Sequence, residues 1–71
     1  MTNTKLLEEA INASGYKRSY LAAKLGITPY ALAKKIRNEN QFKASEIDLM
    51  SRLLKIDVNT RMKIFFAKKV D

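Results

Sequence analysis

The fold of this chain depends most on residues 21–36, which read LAAKLGITPYALAKKI. Small and apolar residues favour a helix up to Leu25, and Gly26 favours its end, because glycine adopts the left-handed conformation at low cost. Thr28 has the side chain of a helix N-cap, and Pro29 suits the first turn of the next helix, where a missing N–H costs no hydrogen bond. The pattern predicts a helix-turn-helix, in which the second helix stands at a fixed angle to the first.

Outside this stretch, apolar residues recur at spacings of three and four, the pattern of a helix with one buried face. The first stripe predicts a helix over residues 4–14, capped by one of residues 2–4 and ended at Ser14-Gly15. The next helix is predicted over residues 18–25. Its start is imperfect, because Ser19, which has capping chemistry, falls inside it.

The helix that begins at Pro29 is expected to end between Ile36 and Asn38. Ser45 followed three residues later by Asp48 resembles a capping box and predicts the start of a fourth helix. The residues expected to be buried on that helix are Ile47, Met50, Leu53 and Leu54. Phe42, in the polar loop before it, is expected to anchor the loop on the core.

The C-terminal residues leave two interpretations open. Asp57 or Asn59 is able to cap a short fifth helix, whose apolar residues are Met62, Ile64, Phe65 and Phe66. Alternation also suits a short strand, with one face formed by Ile64, Phe66, Lys68 and Val70 and the other by Phe65, Ala67 and Lys69. With two glycines and one proline in the chain, helices are favoured. We expect an all-α, five-helix fold, with the C-terminal residues as the one candidate strand.

The length of 71 residues indicates a single domain over residues 1–71. A domain of this size buries only about 60% of the surface that its unfolded chain exposes, so association with a partner would help it. The chain has no cysteine and no histidine, which excludes disulfides and the usual zinc ligands. We expect no metal and no cofactor, and a reducing, cytoplasmic environment fits.

No stretch approaches the about 18 consecutive apolar residues of a membrane span, and the N-terminal residues lack an apolar signal core. We therefore expect a soluble, unprocessed chain with no membrane partner.

The net charge of +7 predicts attraction to polyanions, either nucleic acid or an anionic membrane surface. Residues 17–43 hold seven basic residues against one acidic residue, Glu39, a net charge of +6. A membrane-surface helix needs one uninterrupted amphipathic helix, whereas Gly26 to Pro29 interrupt this basic segment. The distribution of charge therefore favours nucleic acid.

Three features of residues 21–36 belong together in a helix-turn-helix. Ala22 is small enough for the two helices to cross closely, and Gly26 follows it by four residues. The apolar residues placed to lock both helices from below are Leu21, Leu25, Ile27, Leu32 and Ile36. In these features the chain resembles the Cro and phage-repressor-like (XRE) family over about residues 5–57.

The C-terminal residues 64–67, with Val70-Asp71, are also similar to small phage regulators of Gram-positive hosts. The resemblance implies a Cro-like repressor that regulates transcription in a phage or prophage setting. It also implies sequence-specific binding to double-stranded DNA, as a homodimer on a partly palindromic operator in the cytoplasm of the bacterial host. One departure bears on docking: many members have an apolar residue nine positions after the turn glycine, where this chain has Lys35. We expect Ile36 to take over that apolar role.

Carried over by position, the resemblance implies that the start of the third helix contacts bases through Thr28, Pro29, Tyr30, Ala31, Ala33 and Lys34. Lys34 can donate to O6 or N7 of guanine, and Tyr30 and the alanines can contact thymine methyl groups. Tyr30 is expected to be exposed, because it lies two residues before the inward Leu32. The position of Tyr20 stays open.

The resemblance implies phosphate contacts by Arg18, Ser19, Arg37, Asn38, Asn40 and Lys43. Weaker phosphate candidates are Lys17, Lys24 and Lys35. A homodimer contact is expected from Ile64, Phe65 and Phe66. The alternative is that Phe65 and Phe66 both close the core of one protomer, and our preferred interpretation places one inward and one towards a partner.

An enzyme is hard to build from these residues, because the chain has no histidine, no cysteine and no glycine-rich phosphate loop. Its carboxylates fall on predicted outer faces or caps. We therefore expect no catalytic site and no small-molecule ligand. The main alternative is a protein-interaction module on the same scaffold, such as an antirepressor or a host-factor inhibitor, since a fold does not fix a function.

Overall fold

A computed structural model describes residues 1–68, which form five helices and no strand. The helices are α1 (Thr4–Ser14), α2 (Arg18–Leu25), α3 (Pro29–Ile36), α4 (Ala44–Leu53) and α5 (Val58–Phe65). The all-α prediction is confirmed. The alternative of a C-terminal strand is wrong over the residues described, because α5 continues to Phe65. Lys69, Val70 and Asp71 lie outside the described residues.

Three helices begin at the side-chain caps that local chemistry predicts. The Leu6 N–H donates to Oδ1 of Asn3 at 3.1 Å, and α1 follows. Oγ1 of Thr28 accepts the Ala31 N–H at 3.0 Å, and Oδ1 of Asp57 accepts the Thr60 N–H at 2.7 Å. Each cap satisfies a backbone donor that the first turn of a helix leaves without a partner.

The capping box predicted at Ser45 and Asp48 is wrong. The N-cap of α4 is Lys43, two residues before Ser45, and the carboxylate three residues after it belongs to Glu46, whose Oε1 accepts the Lys43 N–H at 2.8 Å. Asp48 instead receives hydrogen bonds from Arg52 and Arg61, which lie further along the chain. Only one half of a capping box is present, because glutamate at the third position reaches back to the N-cap N–H while the lysine side chain has no acceptor to return the hydrogen bond.

The core forms where α2 packs against α3 and α4, and where α1 packs against α3 and α5. Its buried apolar residues are Leu7, Ile11, Leu21, Ala22, Leu32, Ile36, Met50, Leu54, Ile64 and Phe65. The inward residues predicted for α2 and α3 are among them or, like Leu25 and Ile27, are half-buried against them. Burial of each large aliphatic side chain contributes about 1.5–3 kcal/mol.

Residues at the N-terminus hold three parts of the fold together. The Asn3 N–H donates to the Ile64 carbonyl at 2.6 Å, and the Thr4 hydroxyl donates to the Ile36 carbonyl at 2.5 Å. The Thr2 N–H donates to Oδ1 of Asn38 at 2.7 Å. The end of α3 is therefore tied to the start of α1, and the start of α1 is tied to α5.

None of the helices in residues 1–68 combines the length and the apolar content that crossing a membrane requires.

Candidate nucleic-acid interface

The turn between α2 and α3 is closed by backbone hydrogen bonds. The Ile27 N–H donates to the Ala22 carbonyl at 3.0 Å, and the Gly26 N–H donates to the Ala23 carbonyl at 3.1 Å. Gly26 has φ 74°, a left-handed conformation that costs glycine little. Ile27 is half-buried against the core, so the turn is held from below and α3 starts in a fixed direction.

The outer face of α3 consists of Tyr30, Lys34 and Arg37. Tyr30 is 69% exposed, which confirms the prediction that it points away from the core. Nζ of Lys34 lies 5.5 Å from the centroid of the Tyr30 ring, as expected for residues four apart on one helix. Arg37, at the C-cap, extends the same face by three residues. An aromatic ring and two cations thus line the solvent side of α3.

The other predicted base-contacting residues surround this face with different exposure. Thr28 and Pro29 are exposed, whereas Ala31 and Ala33 are half-buried. The Thr28 oxygen accepts the cap hydrogen bond, which leaves its hydroxyl hydrogen able to donate to a ligand. All six residues lie within the first two turns of α3 or at its cap.

Two of the predicted phosphate-contacting arginines are held in exposed ion pairs. Nη2 of Arg18 lies 2.9 Å from Oε2 of Glu8, and Nε of Arg37 lies 2.6 Å from Oε2 of Glu39. Exposed pairs of this kind contribute about 0.2–1 kcal/mol, so an arginine can exchange its carboxylate for a phosphate at small cost. Ser19, at the start of α2, is exposed and next to Arg18.

The loop after α3 carries Asn40 and Lys43, both exposed. The N–H groups of Glu39 and Asn40 donate to the Lys34 carbonyl at 2.8 and 3.4 Å. The loop is therefore built on the backbone of a residue in the outer face of α3. This arrangement brings Asn40 to the end of that helix.

The side chain of Asn38, predicted as a phosphate contact, makes two hydrogen bonds within the fold. Its Oδ1 accepts the Thr2 N–H and its Nδ2 donates to the Thr2 carbonyl, both at 2.7 Å. Its φ of 65° also suits asparagine, which tolerates the left-handed region better than most residues. Asn38 closes the fold between residues 36 positions apart in the sequence.

Lys35, predicted as a weaker phosphate contact, is buried and faces the protein. Its Nζ donates to Oε1 of Glu46 at 2.9 Å and to the Gln41 carbonyl at 3.0 Å. It also lies 5.9 Å from the centroid of the Phe42 ring. An apolar stem with a cationic end can occupy a site inside the protein when the end reaches acceptors. Glu46 lies at a helix cap, as expected for the carboxylates, because it accepts the Lys43 N–H, but it is buried there.

The Glu46 carboxyl has a pKa below its ordinary value. Burial is the largest single influence and raises the pKa, but the hydrogen bonds from the Lys43 N–H and Lys35, with the charges of both lysines, together outweigh it. Glu46 is therefore ionised at neutral pH. Its contact with Lys35 is a charge-assisted hydrogen bond, a stronger class than a neutral one.

Tyr20, whose position the sequence left open, is 42% exposed. Its ring stacks on Tyr16, with ring centroids 5.0 Å apart, and Nζ of Lys24 lies 5.5 Å from its centroid. Lys24 therefore stays at the surface, where a lysine can still contact a phosphate.

The predicted dimer contact is wrong for Ile64 and Phe65, which are 1% and 4% exposed. Phe65 packs edge-on against Phe42, with ring centroids 5.3 Å apart. Exposed apolar side chains instead form a stripe along α5 and its C-cap, here called the α5 apolar stripe: Val58, Met62 and Phe66, which are 71%, 52% and 52% exposed. Their spacing of four residues was the signal available in the sequence.

Comparisons of this chain with models of protein families, with curated proteins and with solved structures find no match.

Proposed function

We propose that this chain is a sequence-specific double-stranded DNA-binding regulator of transcription. The observation that carries the proposal is the outer face of α3, which follows a tight, core-anchored turn: Tyr30 and Arg37 are exposed there, and the half-buried Lys34 lies against the Tyr30 ring. The major groove of B-DNA is about 12 Å wide and accepts one α-helix. A short, projecting helix with cationic and aromatic side chains suits that groove.

Base contacts and phosphate contacts come from different parts of this surface. Lys34 is suited to donate to guanine O6 or N7, and Tyr30 to contact thymine methyl groups. The residues placed to hold phosphates and set the register are Arg18, Ser19, Arg37, Asn40 and Lys43. With Lys35 paired inside the protein, residues 17–43 still present six basic residues that are exposed or half-buried.

Repression by occupying an operator and excluding polymerase requires no further domain. The resemblance to Cro and phage repressors supports a phage or prophage regulator acting on DNA in the bacterial cytoplasm. The resemblance favours repression, and the charge of residues 17–43 favours a nucleic-acid ligand.

A homodimer on a partly palindromic operator belongs to the same proposal. Half-sites of such operators lie about 34 Å apart, one turn of DNA, and a protomer measuring 33 × 24 × 20 Å allows two copies to lie side by side at that spacing. The α5 apolar stripe is the exposed surface best suited to the contact between them. Stable interfaces bury about 800 Å² per partner. Three side chains supply less, so we expect a dimer that is weak in free solution and completed on DNA.

Selection of bound sequences from random duplex DNA tests the proposed function, followed by affinity measurements on the enriched site across a salt series. We expect an inverted repeat and a steep inverse dependence on salt, because each phosphate contact releases counterions. Equal, weak binding to all duplexes would instead favour the protein-interaction module, for which the α5 apolar stripe is the available surface.

The dimer is tested by Met62→Glu, which places a charge in the stripe. We expect this variant to bind one half-site but to lose cooperative binding to the inverted repeat. Asn12→Glu is the matched control, since it makes the same charge change at an exposed residue of α1. Equal cooperativity in both variants would exclude this surface from the dimer.

A further inference from the structure

We infer that Lys35 and Glu46 are positioning residues of the DNA-reading helix. Their buried contact sets the rotation of α3 about its own axis relative to the start of α4. It thereby fixes the position of Lys34, the proposed base contact, relative to Lys43, the proposed phosphate contact. The inference rests on the proposed function and adds to it the device that aligns base contacts with phosphate contacts.

The first step is the reach of the Lys35 ammonium group. It contacts three residues of the segment that follows α3: the Gln41 carbonyl at 3.0 Å, the Phe42 ring at 5.9 Å from its centroid, and Glu46 at 2.9 Å. An ammonium group has three N–H donors and can satisfy several acceptors at once. One side chain of α3 therefore holds the connection to α4 in place.

The second step is the shared oxygen. Oε1 of Glu46 accepts from Nζ of Lys35 at 2.9 Å and from the Lys43 N–H at 2.8 Å. The phosphate candidate Lys43 is thus joined to α3 through a single atom. Phe42, beside it, packs on Phe65 of α5, so the connection is also anchored on the core.

The third step is the geometry of a helix. Successive residues point about 100° apart, so the direction of Lys35 fixes the direction of Lys34. A side-chain end lies about 6 Å from the helix axis, and a rotation of about 20° moves it by about 2 Å. Hydrogen bonds tolerate a range of only about 0.5 Å between donor and acceptor. A small rotation of α3 is therefore enough to break a contact with a base.

An apolar residue at position 35 would fill the same space but would not fix the rotation of α3 about its axis. Apolar burial depends on area and not on orientation, whereas a hydrogen-bonded ion pair has one preferred geometry. Buried pairs are weak contributors to stability but specify one conformation in some proteins. The pair is therefore expected to affect the choice of DNA sequence.

The test uses the double variant Lys35→Met/Glu46→Gln in the full chain. It removes both charges, keeps the net charge, and leaves a side-chain oxygen at position 46 to accept the Lys43 N–H. Affinity is measured on the duplex enriched by the wild-type chain and on a scrambled duplex, across a salt series, after circular dichroism has shown that the variant is folded. The matched control is Arg52→Met/Asp48→Asn, which removes an exposed pair of α4 together with the longer contact of Asp48 to Arg61.

We expect about a tenfold or greater loss in the ratio of specific to non-specific affinity for Lys35→Met/Glu46→Gln, and none for the control. Affinity for the scrambled duplex and the slope of the salt dependence should stay unchanged. An unchanged ratio would overturn the inference. A salt slope reduced by about one, with weaker binding to both duplexes, would overturn it too, because Lys35 would then contact a phosphate directly.

A second measurement needs no DNA. Cα–Hα residual dipolar couplings report rotation of a helix about its axis, and we expect those of α3, relative to α4, to differ between the wild-type chain and the Lys35→Met/Glu46→Gln variant. Unchanged couplings would overturn the positioning role whatever the DNA result. If the wild-type chain enriches no duplex but the couplings change, the proposed function fails while the positioning of α3 stands.

Discussion

Nζ of Lys35 lies 2.9 Å from Oε1 of Glu46, and the two side chains are only 11% and 8% exposed. The pair joins the end of α3 to the first turn of α4. Removing one partner from such a pair leaves the other charge buried without compensation. The pair therefore links the stability of the protein to the placement of its candidate DNA-reading helix.

Glu46→Ala is expected to lower the free energy of unfolding by about 3 kcal/mol, because Lys35 loses its charge partner and the Lys43 N–H loses its acceptor. Urea unfolding measures the change. Glu39→Ala is the control: it breaks the exposed pair with Arg37, and we expect a loss below about 0.5 kcal/mol. Small, equal losses in both variants would show that the buried pair of Glu46 contributes no more to stability than the exposed pair of Glu39.

Acid is expected to destabilise the wild-type chain partly through Glu46. Its pKa is lowered by folding from an ordinary value of 4.5, so the unfolded chain takes up the proton first. The stabilisation is complete above pH 4.5 and is lost as the pH falls through the pKa of the folded state. Urea unfolding of Glu46→Gln over the same acidic range should show a smaller decline. The pKa of Asp57 is lowered chiefly by the Thr60 N–H, so Asp57 contributes to the remaining loss of stability in acid in both proteins. Parallel declines in the two proteins would contradict this account.

Lys34→Ala is expected to relax the base preference at one operator position by about 1–3 kcal/mol, because Lys34 lies in the outer face of α3. Lys43→Ala should weaken binding to all duplexes alike and reduce the salt slope by about one. Competition binding against single-base operator variants distinguishes the two effects. If the two patterns were reversed, the recognition surface would lie elsewhere.

Asn38→Ala is expected to destabilise the fold by about 1–3 kcal/mol, because both backbone groups of Thr2 lose their partner. Asn38→Gly keeps easy access to φ 65° and separates the cost of backbone conformation from that of the lost hydrogen bonds. Thermal and urea unfolding give both values. Unaltered stability together with weaker binding to all duplexes at an unchanged salt slope would return Asn38 to the phosphate contacts.

Ile64→Ala is expected to lower the free energy of unfolding by about 2–5 kcal/mol, because it opens a cavity in the core. Met62→Ala, on the exposed stripe of the same helix, should change it by less than about 1 kcal/mol. Urea unfolding of dilute protein compares them. Similar losses in both would mean that Met62 is buried in the species measured.

The helices and their starts were predictable because the signals are local. Thr28 caps α3 by accepting the N–H of Ala31, three residues away, and the approximate bounds predicted for α1 and α2 agree with the structure. Burial of Leu32 and exposure of Tyr30 follow from helical periodicity. Much of the candidate interface could be placed on the same grounds.

The errors concern side chains whose partners are distant or ambiguous in the sequence. Asn38 meets Thr2 across 36 positions, and Lys35 meets Glu46 across 11. No local pattern distinguishes a lysine that is solvated from one that reaches a buried carboxylate. The start of α4 was misplaced because Ser45 and Glu46 both offer capping chemistry. In the structure Glu46 accepts the Lys43 N–H and also contacts Lys35 of α3, a contact that the sequence does not reveal.

Local sequence thus accounts for the five helices, the turn at Gly26 and the direction of Tyr30, since caps and periodicity act within about four residues. Long-range packing accounts for the burial of Lys35 and Ile64 and for the exposed stripe on α5. The reason is that burial depends on which helices meet, and a charged side chain enters the core only where the fold brings an acceptor to it. The rotation of α3, on which the proposed contact with DNA depends, belongs to this second group.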